Sequence, residues 1–292
     1  MAKVLIVGCG DLGTAIAKNL QNNHEVIGLR RNIHAHTSHA TSGGIKTIYA
    51  DVTLPDSLAQ LENLNPNIVI YCVSAGGQSD VQYQAAYVTG LKNILATQSQ
   101  NANLQHVFFV SSSRVYGQVS QDLLDENTLA IAADFGGERL LEAENLLKDF
   151  CLNFCTKVQA CMATSMRLSG IYGTGRLYLV NMAKDLSKWP QDNHWSNRIH
   201  RDDAAGFIAF MVEKSANNQQ VKDCYIVTDD MPTQQYEVLT WLANQQNIDT
   251  TQIKTPAAIG GKRLSNQRLR DTGFVLQYAN YQAGYGEILK AL

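Results

Sequence analysis

The chain alternates short, wholly apolar runs with longer stretches in which apolar residues recur every three or four positions. Lys3-Val-Leu-Ile-Val7 is the first such run, and Leu12, Ile16 and Leu20 follow it at helical spacing. Runs apolar on both faces suit strands buried between helical layers, and a 3.6-residue stripe suits helices with one face against a sheet. The spacing predicts further strands over 25–29, 45–50, 67–73, 106–110, 163–168 and 224–227. It predicts helices starting near Pro55, over 81–100, over 134–150, from about 202 to 212 and over 236–245. Asp51 is expected to cap the helix near Pro55, and Asp202 or Asp203 to cap the helix that runs to about 212. This alternation predicts an α/β fold with a doubly wound parallel sheet. The rhythm loosens after Leu168, where Trp189, Pro190 and Trp195 mark an irregular stretch. Residues 1–168 are expected to form the core. Residues 169–292 are expected to form mainly a smaller substrate-binding lobe or lid, with elements returning to the core.

At 292 residues and 45% hydrophobic content, the chain can bury one large core or a core with a smaller cap. A formal net charge of −2 leaves no basic footprint for nucleic acid or an anionic membrane surface. No apolar run approaches the ~18 residues that span a bilayer. The first residues enter a strand directly, without a basic segment and apolar leader. A cytoplasmic protein with no nucleic-acid or membrane partner is therefore expected. The cysteines, Cys9, Cys72, Cys151, Cys155, Cys161 and Cys224, contain no Cys-x-x-Cys pair and no nearby histidine. They read as reduced small hydrophobes, and no metal site is expected.

Gly8-Cys9-Gly10-Asp11-Leu12-Gly13 occupies the first strand-to-helix turn. A glycine at 8 permits a tight turn, one at 10 lets a pyrophosphate approach the backbone, and one at 13 lets the helix pack close to the sheet. The helix start offers N–H groups and a positive dipole end to phosphate. Gly8, Gly10, Asp11, Leu12 and Gly13 are thus expected to hold a dinucleotide. The second strand ends in Arg30-Arg31. An acid here would bind the ribose hydroxyls of NAD, whereas two arginines suit the 2′-phosphate of NADP. NADP is expected, with NAD as the alternative. His34, His36 and His39 lie in the following Ser/Thr-rich loop and read as surface residues beside the adenosine. Asp51, ahead of Val52, can accept the adenine amino group as well as cap a helix. Ser74-Ala75-Gly76-Gly77 forms a small-residue turn at the carboxyl edge of the sheet, a place for the middle of the dinucleotide, and Val73, Ser74 and Ala75 are expected to contact it. Ser111, at the end of the fifth strand, joins this cofactor set.

Six ordered motifs resemble the extended short-chain dehydrogenases/reductases, the NAD-dependent epimerase/dehydratase family. They are Gly8-x-Gly10-x-x-Gly13, Asp51-Val52, Ser111-Ser-Ser-Arg-Val-Tyr116-Gly117, Arg167-Leu-Ser-Gly-Ile-Tyr172-Gly173-x-Gly175, Arg198-Ile-His200-Arg-Asp202-Asp203, and Lys262-Arg-Leu-Ser-Asn266 up to Gly273-Phe274. The resemblance implies a Rossmann core of about seven strands with a small C-terminal substrate lobe. It implies hydride transfer at nicotinamide through a relay of a hydroxyl, a tyrosine and a lysine four residues on, and homodimers through the helices near 81–100 and 136–150.

Ser112 matches the hydroxyl of that relay. None of the twelve tyrosines has lysine four residues on. Fitted to the family's helix, which ends at Glu144, Gly136 takes the tyrosine position and Leu140 the lysine position. Neither can transfer a proton. The chain resembles an atypical branch of the family, and Tyr116 is the best remaining acid/base. Tyr172, Glu138, Arg139 and His200 are weaker substitutes. The expected function is an NAD(P)-binding oxidoreductase or epimerase/dehydratase-like protein acting on a small polar substrate such as a nucleotide sugar. The alternative is a non-catalytic NADP(H)-binding redox sensor.

Overall fold

Val4, Leu5, Ile6 and Val7 of the first strand, β1 (Lys3–Val7), have no exposed surface, so β1 must lie in the middle of a covered sheet. In the computed structural model, which describes residues 1–31, 45–118, 120, 122–158 and 160–292, it does. The other strands of this sheet are β2 (Glu25–Arg30), β3 (Lys46–Tyr49), β4 (Ile68–Tyr71), β5 (His106–Ser112), β6 (Met162–Leu168) and β7 (Cys224–Val227). Their spatial order is β7-β6-β5-β4-β1-β2-β3. β1 pairs in parallel with both β2 and β4, β2 with β3, and β4 with β5. The chain winds outward from β1 to β3, returns to lay β4 on the other side of β1, and winds outward again to β7. Such a reversal opens a crevice at the carboxyl ends of β1 and β4. His34, His36 and His39 lie outside the described residues.

α1 (Asp11–Leu20) buries Leu12, Ile16 and Leu20, the stripe read from their spacing. The segment at Pro55–Leu61 is a 3₁₀ helix, and its N-cap is Leu54. Asp51 therefore caps no helix. α2 runs through Asp80–Tyr83, a π-helical Gln84–Thr89 and Gly90–Thr97. α3 (Phe135–Lys157) continues past the expected end near 150. Asp134 is its N-cap, with Oδ1 accepting the Gly137 N–H at 2.9 Å. The helix Arg201–Ala216 starts one residue before Asp202, so Asp202 and Asp203 lie in its first turn and do not cap it. The Asp202 N–H is taken instead by Nδ1 of His200 at 3.2 Å.

The chain forms two compact units. One comprises 1–117, 130–167 and 205–225, and the other comprises 118–129, 168–204 and 226–292. The second unit has its own core, in which Val180, Leu239, Leu242, Tyr285 and Ile288 are buried together. Within it the short strands Gly170–Tyr172 and Arg198–His200 pair in parallel. Among the described residues no helix is long and apolar enough to cross a membrane, and no cluster of three metal-ligating side chains occurs.

At the start of β5, His106 is completely buried, with Nδ1 and Nε2 each 2.8 Å from a hydroxyl, of Ser215 and Thr164 respectively. Burial pushes its pKa down to about 3. The unfolded chain takes up a proton near pH 6.5 that the native ring refuses. The stability held by the neutral ring is full above about pH 6.5 and is lost as pH falls from there towards 3. We expect roughly 2 kcal/mol of this loss by about pH 5. Urea denaturation at pH 7 and pH 5 should show it, and His106→Gln should flatten the dependence.

Candidate functional site

The glycine turn sits where β1 meets the crevice. Gly8 has φ +92°, and a Cβ there would stand 2.7 Å from the Cys72 carbonyl carbon and 2.8 Å from the Val73 nitrogen. A Cβ on Gly13 would stand 2.5 Å from the Gly8 carbonyl oxygen. These two glycines let the loop, β4 and α1 touch. Gly10 differs, because nothing lies within 4 Å of where its Cβ would be. It is the N-cap of α1, and no side chain caps that end. An uncapped helix start beside an open glycine face is a fitting cradle for a pyrophosphate. Asp11 and Leu12 form the first turn of α1, and Leu12 is buried.

The loop is tied to β2 by the Leu29 carbonyl, which accepts the N–H of Gly8 at 3.0 Å and of Cys9 at 2.9 Å. Arg30 is the next residue, exposed at the strand end, and Arg31 follows it in an exposed bend. Gly28 was not among the residues expected from the sequence. A Cβ on it would stand 2.8 Å from Cys9 Sγ, so it makes room for the loop. A lone glycine inside an apolar strand was the available signal.

Asp51 Oδ1 accepts the Thr53 N–H at 2.9 Å and the Thr53 hydroxyl at 2.7 Å, and Val52 is buried. Val73, Ser74 and Ala75 follow β4. The carboxyl end of β5 carries Ser111 and Ser112. Ser111 donates to Glu144 Oε1 at 2.6 Å, which commits its hydroxyl to the interior. Ser112 Oγ accepts the Arg114 N–H at 3.2 Å.

Tyr116 is completely buried. Its hydroxyl accepts from Arg167 Nη1 at 2.6 Å, and the Arg167 guanidinium lies 5.0 Å from its ring centre. Arg167 is in turn bound by Glu144, Nη2 to Oε2 at 2.7 Å. Burial works against the charge of Arg167, but its bonds to Glu144 hold the group above the ordinary arginine range. The phenol is enclosed by these groups. Tyr116 closes a buried network of Ser111, Glu144 and Arg167.

The weaker substitutes are equally engaged. His200 is buried between Tyr172 and Tyr278, its ring centre 5.3 and 4.0 Å from theirs, and burial pushes its pKa down. Tyr172 is buried and stacked 4.3 Å from Tyr285, and burial pushes its hydroxyl up. Arg139 pairs with Asp80 and Glu142, each at 2.7 Å, and Glu138 is exposed. At the two relay positions, Leu140 is 2% exposed, and Gly136 faces the Arg114 guanidinium.

Tyr116→Phe should cost about 1 kcal/mol of stability and leave dinucleotide affinity unchanged. Glu144→Gln, which leaves the Arg167 charge buried without its partner, should cost roughly 3–5 kcal/mol. Urea denaturation and calorimetric titration of each variant check both. A fall in dinucleotide affinity in Tyr116→Phe would return that phenol to the site.

A family model, that of the NAD dependent epimerase/dehydratase family, matches residues 4–226. Among solved structures, a Methylobacillus flagellatus protein provisionally named an NAD-dependent epimerase/dehydratase is 43% identical, over 99% of this chain and 98% of its own, with a TM-score of 0.84. The Thermus thermophilus UDP-glucose 4-epimerase, solved with NAD, is 17% identical over 97% of this chain and 96% of its own, with a TM-score of 0.76. The Bacillus anthracis dTDP-glucose 4,6-dehydratase, also solved with NAD, is 12% identical over 99% and 96%, with a TM-score of 0.78. The last two likenesses concern the fold alone. No curated protein matches the chain. Sequence, sheet order and glycine loop agree, and the chain belongs to the NAD-dependent epimerase/dehydratase family.

Proposed function

We propose that this protein binds NADP(H) on its glycine loop and serves a redox reaction of a small polar substrate, with nucleotide sugars the first class to test. The observation that carries the reading is the open face of Gly10 at the uncapped start of α1, with Arg30 on the strand next to that loop. When bound, the nicotinamide supplies or takes the hydride. The chain's part is to hold and orient. Arg30 and Arg31 carry charge suited to a 2′-phosphate. Ser112 accepts the Arg114 N–H, which leaves its own O–H proton free to donate to a substrate oxygen. The nucleotide-sugar class is drawn from the names of the UDP-glucose 4-epimerase and dTDP-glucose 4,6-dehydratase of like fold.

A second reading, a non-catalytic NADP(H)-binding sensor, is favoured by one observation. The relay positions are occupied by other structure, Gly136 by the packing of Arg114 and Leu140 by the core. Incubation of the protein with NADPH and a panel of sugar nucleotides and carbonyl compounds separates the two. Tight NADPH binding with no turnover leaves the sensor.

The cofactor reading is tested by two variants. Gly10→Ala has room for its methyl group and should fold normally, as seen by circular dichroism, yet bind NADP(H) at least about tenfold more weakly because the methyl fills the cradle. Arg30→Ala should weaken NADP(H) by about tenfold to a hundredfold, the worth of a charge-assisted hydrogen bond, and NAD(H) much less. Equal losses of both nucleotides by calorimetry would show that Arg30 does not read the 2′-phosphate.

A further inference from the structure

The residue beside the vacant relay position is Arg114, in the 3₁₀ turn Ser113–Val115 that follows β5. A Cβ on Gly136 would stand 2.6 Å from its Nε and 2.7 Å from its Nη1, in addition to meeting Cζ. A side chain at 136 and this guanidinium therefore compete for the same space. The guanidinium is fixed by its surroundings. Nε donates to Asp134 Oδ1 at 2.9 Å and to Oδ2 at 3.0 Å. Nη1 donates to the Tyr83 hydroxyl at 2.8 Å and to Gln78 Oε1 at 3.2 Å. The rings of Tyr83 and Phe135 lie 5.1 and 5.2 Å from Cζ. Partial burial works to raise the Asp134 pKa, but the Gly137 N–H and the Arg114 guanidinium hold it below the usual carboxylate range, so the acceptor stays ionised.

One part of the group is left over. Nη2 makes no hydrogen bond among the described residues, and the side chain is 31% exposed. An arginine holds five N–H donors in one plane and does not lose its charge at neutral pH. Three of the five are used to fix the plane, and the two on Nη2 are left. The backbone N–H of the same residue is held by Ser112 Oγ, so the Ser112 hydroxyl and this guanidinium are parts of one turn. A cation held in place with two donors to spare matches an acceptor oxygen on a ligand, best one carrying negative charge.

We propose that Arg114 is a specificity-determining residue: its guanidinium takes the space that a side chain at 136 would otherwise fill and presents Nη2 to a carboxylate of the substrate. This rests on reading the carboxyl edge at β4 and β5 as the substrate site. It refines the substrate class to polar molecules with a carboxyl group near the reacting carbon. Gly136 is then needed as glycine, to keep that space for the guanidinium.

The experiment is a nitrogen-15 NMR titration of the arginine side chains of the full chain, with and without NADP+. The probes are sodium acetate and the neutral isostere acetamide, and the Arg114 signals are identified by their loss in Arg114→Lys. Acetate should shift the Arg114 signals saturably and bind at least about tenfold tighter than acetamide. Gly136→Ala, which keeps the arginine but crowds it, should weaken acetate at least about threefold. Thermal denaturation confirms that the variant is folded. No saturable shift in the natural chain, or an equal response to acetate and acetamide, overturns the proposal. A failure of sugar nucleotides to turn over removes the nucleotide-sugar reading and leaves the acetate result standing.

Discussion

The buried pair of Glu144 and Arg167 sets the geometry of everything around the carboxyl edge at β5. Taking two charges out of water is unfavourable unless their remaining hydrogen-bonding capacity is met. Here Arg167 Nε and Nη2 go to Glu144 and Nη1 goes to Tyr116, while Ser111 gives its hydroxyl to Glu144. One helix, two strands and the turn after β5 are joined at a single point. Ser112 is the next residue along β5, and positions 136 and 140 lie on the same face of α3 as Glu144 because they precede it by eight and four residues. The pair thereby fixes both the hydroxyl of Ser112 and the two places where the family's relay would stand.

Seen from that pair, the loss of the relay is a substitution of structure. Leu140 is part of the core, where an ammonium would be costly to bury. Gly136 has given its space to a guanidinium that arrives from the neighbouring turn. A titrating phenol and a nearby ammonium have been replaced by one permanently charged group held by Asp134, Tyr83 and Gln78. Hydrogen-bond donation is kept at this edge, and proton exchange from these positions is not.

The parts of this architecture that were legible in the sequence depend on local pattern. Apolar runs marked all seven strands of the sheet, and the glycine spacing marked the turn after β1. The parts that were not legible depend on distant partners. Tyr116 looked available because it follows a strand end, but its enclosure comes from Arg167, fifty-one residues on. Arg114 read as an unremarkable member of a motif, since its partners Gln78, Tyr83 and Asp134 come from other elements. Asp51 read as a helix cap because a proline follows, yet it bonds within its own turn at Thr53 while a 3₁₀ segment starts later. α3 outran its expected length because Cys151 and Phe154 continue its buried face.

The π-helical stretch Gln84–Thr89 gives α2 a different angular phase on its two sides. Its far side, with Leu91 and Ile94, is buried in the core, while its near side brings Asp80 to Arg139 and Tyr83 to Arg114. An α-helix turns by about 100° per residue. A π-helical turn holds one residue more than an α-helical one, so removing one residue from this stretch would let the helix wind regularly with Asp80 and Tyr83 on the side they now face. A second deletion would have no such slack and would swing both residues by about 100°, changing what surrounds the guanidinium without touching any residue that contacts it.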